Sequence, residues 1–333
     1  PYNDIIRKFI DMYAGRLRNQ VSFMLSACNF YMPIFEEALD AYGLPLELRY
    51  LPIIESALNP SAVSRAGASG LWQFMIGTGK IYGLESNSLV DERRDPIKAT
   101  WAAARYLKEM YDIYGDWNLV IAAYNCGPGT INKAIRRANG ETDYWKIYNY
   151  LPKETRGYVP AFIAANYVMT YYCDHNICPM ETNIPASTDT VQVNKNLHFE
   201  QIADLCNVPL DQIKSLNPQY KKQMIPGDSK PYTLRLPIDA ISTFIDKQDT
   251  IYTHRADELF RNRKTVAVKD ITPATRKTTS AVAGKGNLTY YTIKSGDTLS
   301  TIARKYGVTI KDIQRWNGMS STKIAAGKRL KIY

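Results

Sequence analysis

The chain is poor in the residues that build metal and redox centres. It has three histidines, His175, His198 and His254, and five cysteines among 333 residues, and no two cysteines stand in a CxxC pair. That scarcity argues against a metal site, and no cofactor motif appears. No apolar run approaches the ~20 residues that a membrane-crossing helix needs. The opening PYNDIIRKF has no signal-peptide pattern. A mature or trimmed fragment that had lost a leader or lipid anchor would read the same way. Cys173 and Cys178, in CDHNIC, could bridge in an oxidising compartment or stand as buried free thiols.

Acidic charge is also in short supply. Lys and Arg number 42 against 32 Asp and Glu, a net charge of +10, spread along the chain rather than gathered in one block. Such a surface attracts anionic partners. Nucleic acid would account for the charge but not for the features below. Tyr is plentiful at 24, a residue suited to polar, ring-shaped ligands.

The first half reads as helices. Apolar residues recur at helical spacing in IIRKFIDMY, in NFYMPIFEEALDAYG with its stop at Gly43, in LELRYLPIIESALN, in DPIKATWAAARYLKEMYDIYG, in DWNLVIAAYN and in YVPAFIAANYVMTYY. From Asp189 short segments alternate with turns. Residues 263–287 are rich in Thr, Lys and Ala and poor in large apolar side chains, a linker composition. An internal repeat frames that linker. Residues 191–217 and 291–317 match at an offset of one hundred positions, pairing Ile202 with Ile302, Ala203 with Ala303, Val208 with Val308, Ile213 with Ile313 and Asn217 with Asn317. The expected organisation is α+β and multidomain. A mostly α domain covers 1–184, a divergent β-α-α-β unit 185–245, a linker 246–287 and a second β-α-α-β unit 288–333.

One acid stands out in LPIIESALNPSAVSRAGASGLWQFM, residues 51–75. If 46–59 is one helix, Leu51, Ile54, Glu55 and Leu58 share a stripe, and Glu55 faces inward. A carboxyl buried without a cation keeps its proton near neutral pH, as a general acid must. A structural pairing with Arg49 or Arg65 is the alternative. Gly67, Ala68 and Gly70 allow close backbone approach. Gln73 sits among Leu71, Trp72, Phe74 and Met75, and Tyr124 and Asn125 close a helix at AAYNCGPG. Together they suggest a groove of aromatic and amide groups around one acid, suited to a sugar. DERRDP, at 91–96, reads as a self-paired turn rather than as the source of a second catalytic acid.

These blocks, with DERRDPIKATWAAARYL, YGDWNLVIAAYNCGPG and PKETRGYVP, resemble the motifs of the soluble-lytic-transglycosylase domain over about 45–170. The two repeated units resemble LysM modules, and the whole arrangement resembles the membrane-bound lytic murein transglycosylase D type. The resemblance implies a lysozyme-like α fold and cleavage of the MurNAc–GlcNAc bond of peptidoglycan, leaving a 1,6-anhydro sugar. It implies Glu55 as acid and then base, with Ser64, Gln73, Met75, Tyr124, Asn125 and Tyr158 lining the groove. In the second LysM unit it implies glycan contacts from Gly296, Asp297, Thr298, Asn317, Gly318 and Met319. The first unit has NKNLH where SGDTL would stand, so sugar binding and a spacer role both stay open for it. The partner implied is murein, made anionic by its peptide stems, in the periplasm or cell envelope, with an outer-membrane lipid anchor compatible. A hydrolytic lysozyme using water, or an inactive wall-binding protein, are the competing readings.

Overall fold

The computed structural model describes residues 2–182, 184–185, 187–260, 289–293, 297–306, 308–319, 321, 324–325 and 327–332. They fall into two compact units, divided within the stretch read as linker.

The first unit begins with helices that start and stop where local chemistry dictates. The Asn3 side chain accepts from the amides of Ile5 and Ile6, capping α1 (Asp4–Ala14). The long α2 (Arg18–Ala41) lies against α5 (Pro96–Tyr114), which Asp95 caps at its N-terminus and Gly115 ends in the left-handed conformation. Between them lie a 3-10 turn (Leu46–Tyr50), α3 (Leu51–Ser56) and α4 (Ile76–Ile81). After α5 come α6 (Trp117–Cys126), α7 (Pro128–Arg137), α8 (Tyr144–Ile147) and α9 (Lys153–Thr170). Helix α9 packs on α1, α3 and α6. Trp72 is fully buried among them, its ring edge-on to Phe35 and its Nε1 donating to Thr100 Oγ1 at 2.9 Å.

The stretch 46–59 is not one helix. Ala57 and Leu58 both take the left-handed conformation, with φ of 51° and 57°, so α3 closes at Ser56. Leu58 is buried, yet it lies on the turn rather than on a helical stripe. The Ser56 hydroxyl sits 3.1 Å from Pro52 O and 2.9 Å from Leu71 O, fastening the short helix to the loop that follows.

The divergent β-α-α-β module belongs to the same unit. Strands β1 (Thr188–Val193) and β4 (Tyr232–Pro237) pair antiparallel with Val191 opposite Leu234, and β2 (Asn196–His198) pairs with β3 (Met224–Pro226). Helices α10 (Phe199–Cys206) and α11 (Leu210–Leu216) cover them. The stretch read as linker from 246 is helical through Leu259. Following α12 (Ile238–Asp246), α13 (Gln248–Thr253) and α14 (Ala256–Leu259) return to the module. Phe244 and Ile251 are fully buried in its core, and Gln201 Nε2 donates to His254 O at 2.8 Å. The rest of the linker, 261–287, lies outside the described residues.

The second unit is a small β-α-α-β module: β5 (Thr289–Thr292), α15 (Leu299–Tyr306), α16 (Ile310–Asn317) and β6 (Arg329–Ile332), with Tyr291 opposite Leu330. Leu299, Ile302, Ile313 and Leu330 form its core. Among the described residues no helix is long and apolar enough to cross a membrane. Cys173 and Cys178 are exposed free thiols, neither bridged nor buried.

Candidate active site

Glu55 occupies the last turn of α3, half-buried, with its carboxyl facing α9. The Tyr158 hydroxyl, from α9, donates to Glu55 Oε1. No cation pairs with Glu55 among the described residues. Arg49 is spent on Glu36 and on the Tyr50 hydroxyl, and Arg65 lies exposed. Burial therefore dominates. It lifts the Glu55 carboxyl from an ordinary 4.5 up to about 7; the Tyr158 bond opposes the rise and the charge of Glu154, one turn before Tyr158, adds to it. The tyrosines respond in kind. Burial, and then the nearby Glu55 charge, hold the Tyr124 and Tyr158 hydroxyls well above their usual range, so both stay protonated as donors.

Helix α6 brings two further groups. Tyr124 donates to Trp72 O at 2.7 Å, tying α6 to the loop after α3. Asn125 Oδ1 accepts from Thr155 Oγ1 at 2.9 Å, which fixes the side chain and leaves its amide N–H groups for a ligand. Gln73, expected among the groove-lining residues, has its amide N–H groups committed to the loop. It has a left-handed φ of 47°, and its Nε2 donates to Gly70 O at 2.9 Å and to Ala62 O at 3.2 Å. Only its carbonyl oxygen is left to face a ligand. Ser64 also serves the loop, its Oγ accepting from Ala68 N at 3.0 Å. Met75, 45% exposed, stands at the start of α4 as an open apolar surface.

The loop is held from behind by DERRDP. Asp91 grips Arg93 through two contacts, Nε to Oδ1 at 2.8 Å and Nη2 to Oδ2 at 2.7 Å, both side chains nearly fully buried. Arg93 Nη1 then donates to Gly67 O at 2.8 Å and to Phe74 O at 2.9 Å, bridging the two ends of the loop. Gly70 passes so close beneath that a Cβ there would lie 1.8 Å from Arg93 O. Glu92 pairs with Lys98, and Asp95 caps α5. These acids are structural, as a self-paired turn requires.

Residues 32–147 match the transglycosylase SLT domain, 187–253 the LysM-like domain of lytic transglycosylase MltD, and 291–332 the LysM domain. Over an alignment of 336 residues the chain is 32% identical to the membrane-bound lytic murein transglycosylase D of Escherichia coli K12, covering 100% of this chain and 69% of that protein. The chain belongs to the membrane-bound lytic murein transglycosylase D family. It is a peptidoglycan lytic transglycosylase with a lysozyme-like α domain and LysM-type modules. It is also 33% identical over 124 residues to the soluble lytic murein transglycosylase of E. coli K12, a match covering 35% of this chain and 19% of that protein. The crystal structure of the 70 kDa soluble lytic transglycosylase from E. coli aligns with a TM-score of 0.38 at 29% identity, over 43% of this chain and 24% of that one.

For this transglycosylase, sequence reasoning missed Glu154 and Thr155. Both lie in PKETRGYVP, and the spacing of four between Glu154 and Tyr158 was the available signal. In the second LysM module, Gly296 lies outside the described residues. Asn317 is not a free glycan contact: its Nδ2 donates to Ile313 O and Lys331 O, and its Oδ1 accepts from Lys331 N. Asp297 Oδ2 accepts from the Tyr291 hydroxyl at 2.7 Å. Gly318 ends α16 in the left-handed conformation, Met319 packs partly on the module core, and Thr298 is exposed at the start of α15.

Proposed function

We propose that this transglycosylase cleaves the β-1,4 bond between MurNAc and GlcNAc with Glu55 as its one acid and base. The observation that supports this most strongly is a carboxyl held near neutral protonation by burial, with a tyrosine donor and, among the described residues, no cation beside it. The Glu55 proton passes to the glycosidic oxygen as the C1–O bond breaks, and the N-acetyl oxygen of MurNAc shields the developing positive charge at C1. Glu55, now ionised, takes the proton of the same ring's 6-hydroxyl as that oxygen bonds to C1. The product is a 1,6-anhydro sugar, no water is consumed, and Glu55 regains its proton. Because the nucleophile belongs to the substrate ring, proximity replaces a second carboxylate.

The Asn125 amide would donate to an acetamido or hydroxyl oxygen, the Gln73 carbonyl would accept from a ligand N–H or O–H, Tyr124 and Tyr158 would fix Glu55 and the scissile sugar, and Met75 would offer an apolar wall. Ser64 would shape the loop. The second LysM module would tether the enzyme through the turns bearing Gly296, Asp297 and Thr298 and the backbone of Gly318–Met319. Positive charge favours murein with its anionic stems. The cell envelope would be the working location, with a lipid anchor in the outer membrane as the proposed attachment.

Glu154 supports one competing outcome. It is an exposed carboxylate on α9, one turn before Tyr158, and a water activated by it would leave free reducing ends. Mass spectrometry of digested murein tests both. The expected result is 1,6-anhydromuramyl ends from the wild type and none from Glu55→Gln. Reducing ends that vanish in Glu154→Gln would replace the proposed reaction with hydrolysis.

A further inference from the structure

The two LysM-type modules carry the same internal fastening. In the first, Asn217 Nδ2 donates to Ile213 O at 2.9 Å and Arg235 O at 2.8 Å, and Oδ1 accepts from Arg235 N at 2.8 Å. In the second, Asn317 makes the same three bonds to Ile313 O, Lys331 O and Lys331 N, at 2.8, 2.9 and 2.7 Å. This sets the modules in register, so the loop that holds Gly318 and Met319 in one is Pro218–Lys221 in the other.

In the first module that loop is covered by the catalytic domain. Asp91 N donates to Gln219 O at 2.9 Å, Val90 bridges to Tyr220, and Lys221 N donates to Leu89 O at 2.8 Å. The Lys221 ammonium donates to Asn87 O at 2.7 Å and stands 3.9 Å from Asp91 Oδ2. Leu89 and Val90 enter the module's own apolar core, only 2% and 0% exposed. A neighbouring pair adds to the junction, with Lys230 Nζ 2.6 Å from Glu85 Oε2 and the Tyr232 hydroxyl 3.1 Å from Oε1. A loop buried in this way has no face to offer a glycan.

What the loop holds is the clamp. Asp91 grips Arg93, Arg93 bridges Gly67 O and Phe74 O, and that loop meets Ser56 through Leu71 O and Tyr124 through Trp72 O. We infer that the first LysM-like module is a positioning element of the active site rather than a glycan tether, with Lys221 the positioning residue that secures the Asn87–Asp91 turn behind Arg93. The inference rests on the reading of Glu55 as the acid.

The test is steady-state release of anhydro-ended fragments from soluble glycan strands by the full chain, its Lys221→Met and Lys221→Arg variants, and Leu89→Ala at the same junction. A loosened loop misplaces the site and admits water to Glu55. In Lys221→Met, kcat is expected to fall about tenfold with KM and pelleting on murein unchanged. The basic limb of the pH profile should move to lower pH, because Tyr158 and Glu154 on α9 and Tyr124 on α6 stay as they are while burial of Glu55 lessens. Lys221→Arg should restore most of kcat, and Leu89→Ala should follow Lys221→Met, so a Lys221→Met chain that failed to fold would leave the test in place. An unchanged kcat, or a fall with the basic limb unmoved and no rescue by Arg, overturns the inference. A raised KM with weaker pelleting and normal kcat would make the module a tether instead. Failure of the Glu55 reading shows separately, as wild-type enzyme that releases no anhydro ends.

Discussion

Charging Glu55 should cost this enzyme stability, and the cost can be read apart from activity. The group's folded value of about 7 lies above its ordinary 4.5, so the folded chain holds a proton that the unfolded chain releases. Stability from this group is therefore full below about 4.5, is lost as pH rises towards 7, and is absent above it. The gap between the two values corresponds to about 3 kcal/mol, an upper figure because water reaching the groove relieves part of it. Glu55→Gln removes the ionisation while keeping an oxygen to accept from Tyr158. The catalytic domain's unfolding, followed in urea at pH 5 and pH 8, should show wild type losing more stability than the variant across that interval. The variant should be the more stable at pH 8, by about 2–3 kcal/mol. Equal pH dependence in the two proteins would mean that Glu55 is hydrated in the free enzyme. The protonated-acid argument would then fail even if the variant were inactive.

The same geometry makes sharper demands nearby. Tyr158→Phe removes the donor that favours the ionised carboxylate, so the basic limb of the pH–rate profile should move up by about one unit; a shift to lower pH would contradict the assigned donor. Gly70→Ala places a methyl group against Arg93 O at a φ of 88°, and the domain's melting temperature should drop by roughly 10 °C or more, with a wild-type melt refuting the close approach.

The helices α1, α5 and α6 were legible because their periodicity and their caps agree: Asn3, Asp95 and Asp116 open them, and glycines close them. The turn after Glu55 was not, since Ala57 and Leu58 have no local reason to adopt left-handed backbone. The need to bury Leu58 and to reach Leu71 supplies one. Glu55 itself was readable from the apolar run around it, whereas its freedom from Arg49 and Arg65 shows only in the fold. The use made of amides was hidden. Gln73 and Asn317 were read as ligand-facing residues, yet both spend their amides on carbonyls of the chain itself. A sequence shows that a donor exists and not where it is spent. The helices at 248–259 escaped notice for a related reason: Ile251 is one apolar anchor in a polar run, and only the module's exposed core explains its burial.

The paired asparagines also bear on how such a chain can change. Each fastens a helix end to the closing strand by its own three bonds, while the adjoining loop sends Tyr220 into one module's core and packs Met319 against the other's. Within that loop Lys221 points away from the core, so a change there alters what the module meets. Duplication of one unit thus yields two copies that share one fastening and can differ in what their loops meet. Division of labour between repeats follows from where a single side chain directs its hydrogen bonds.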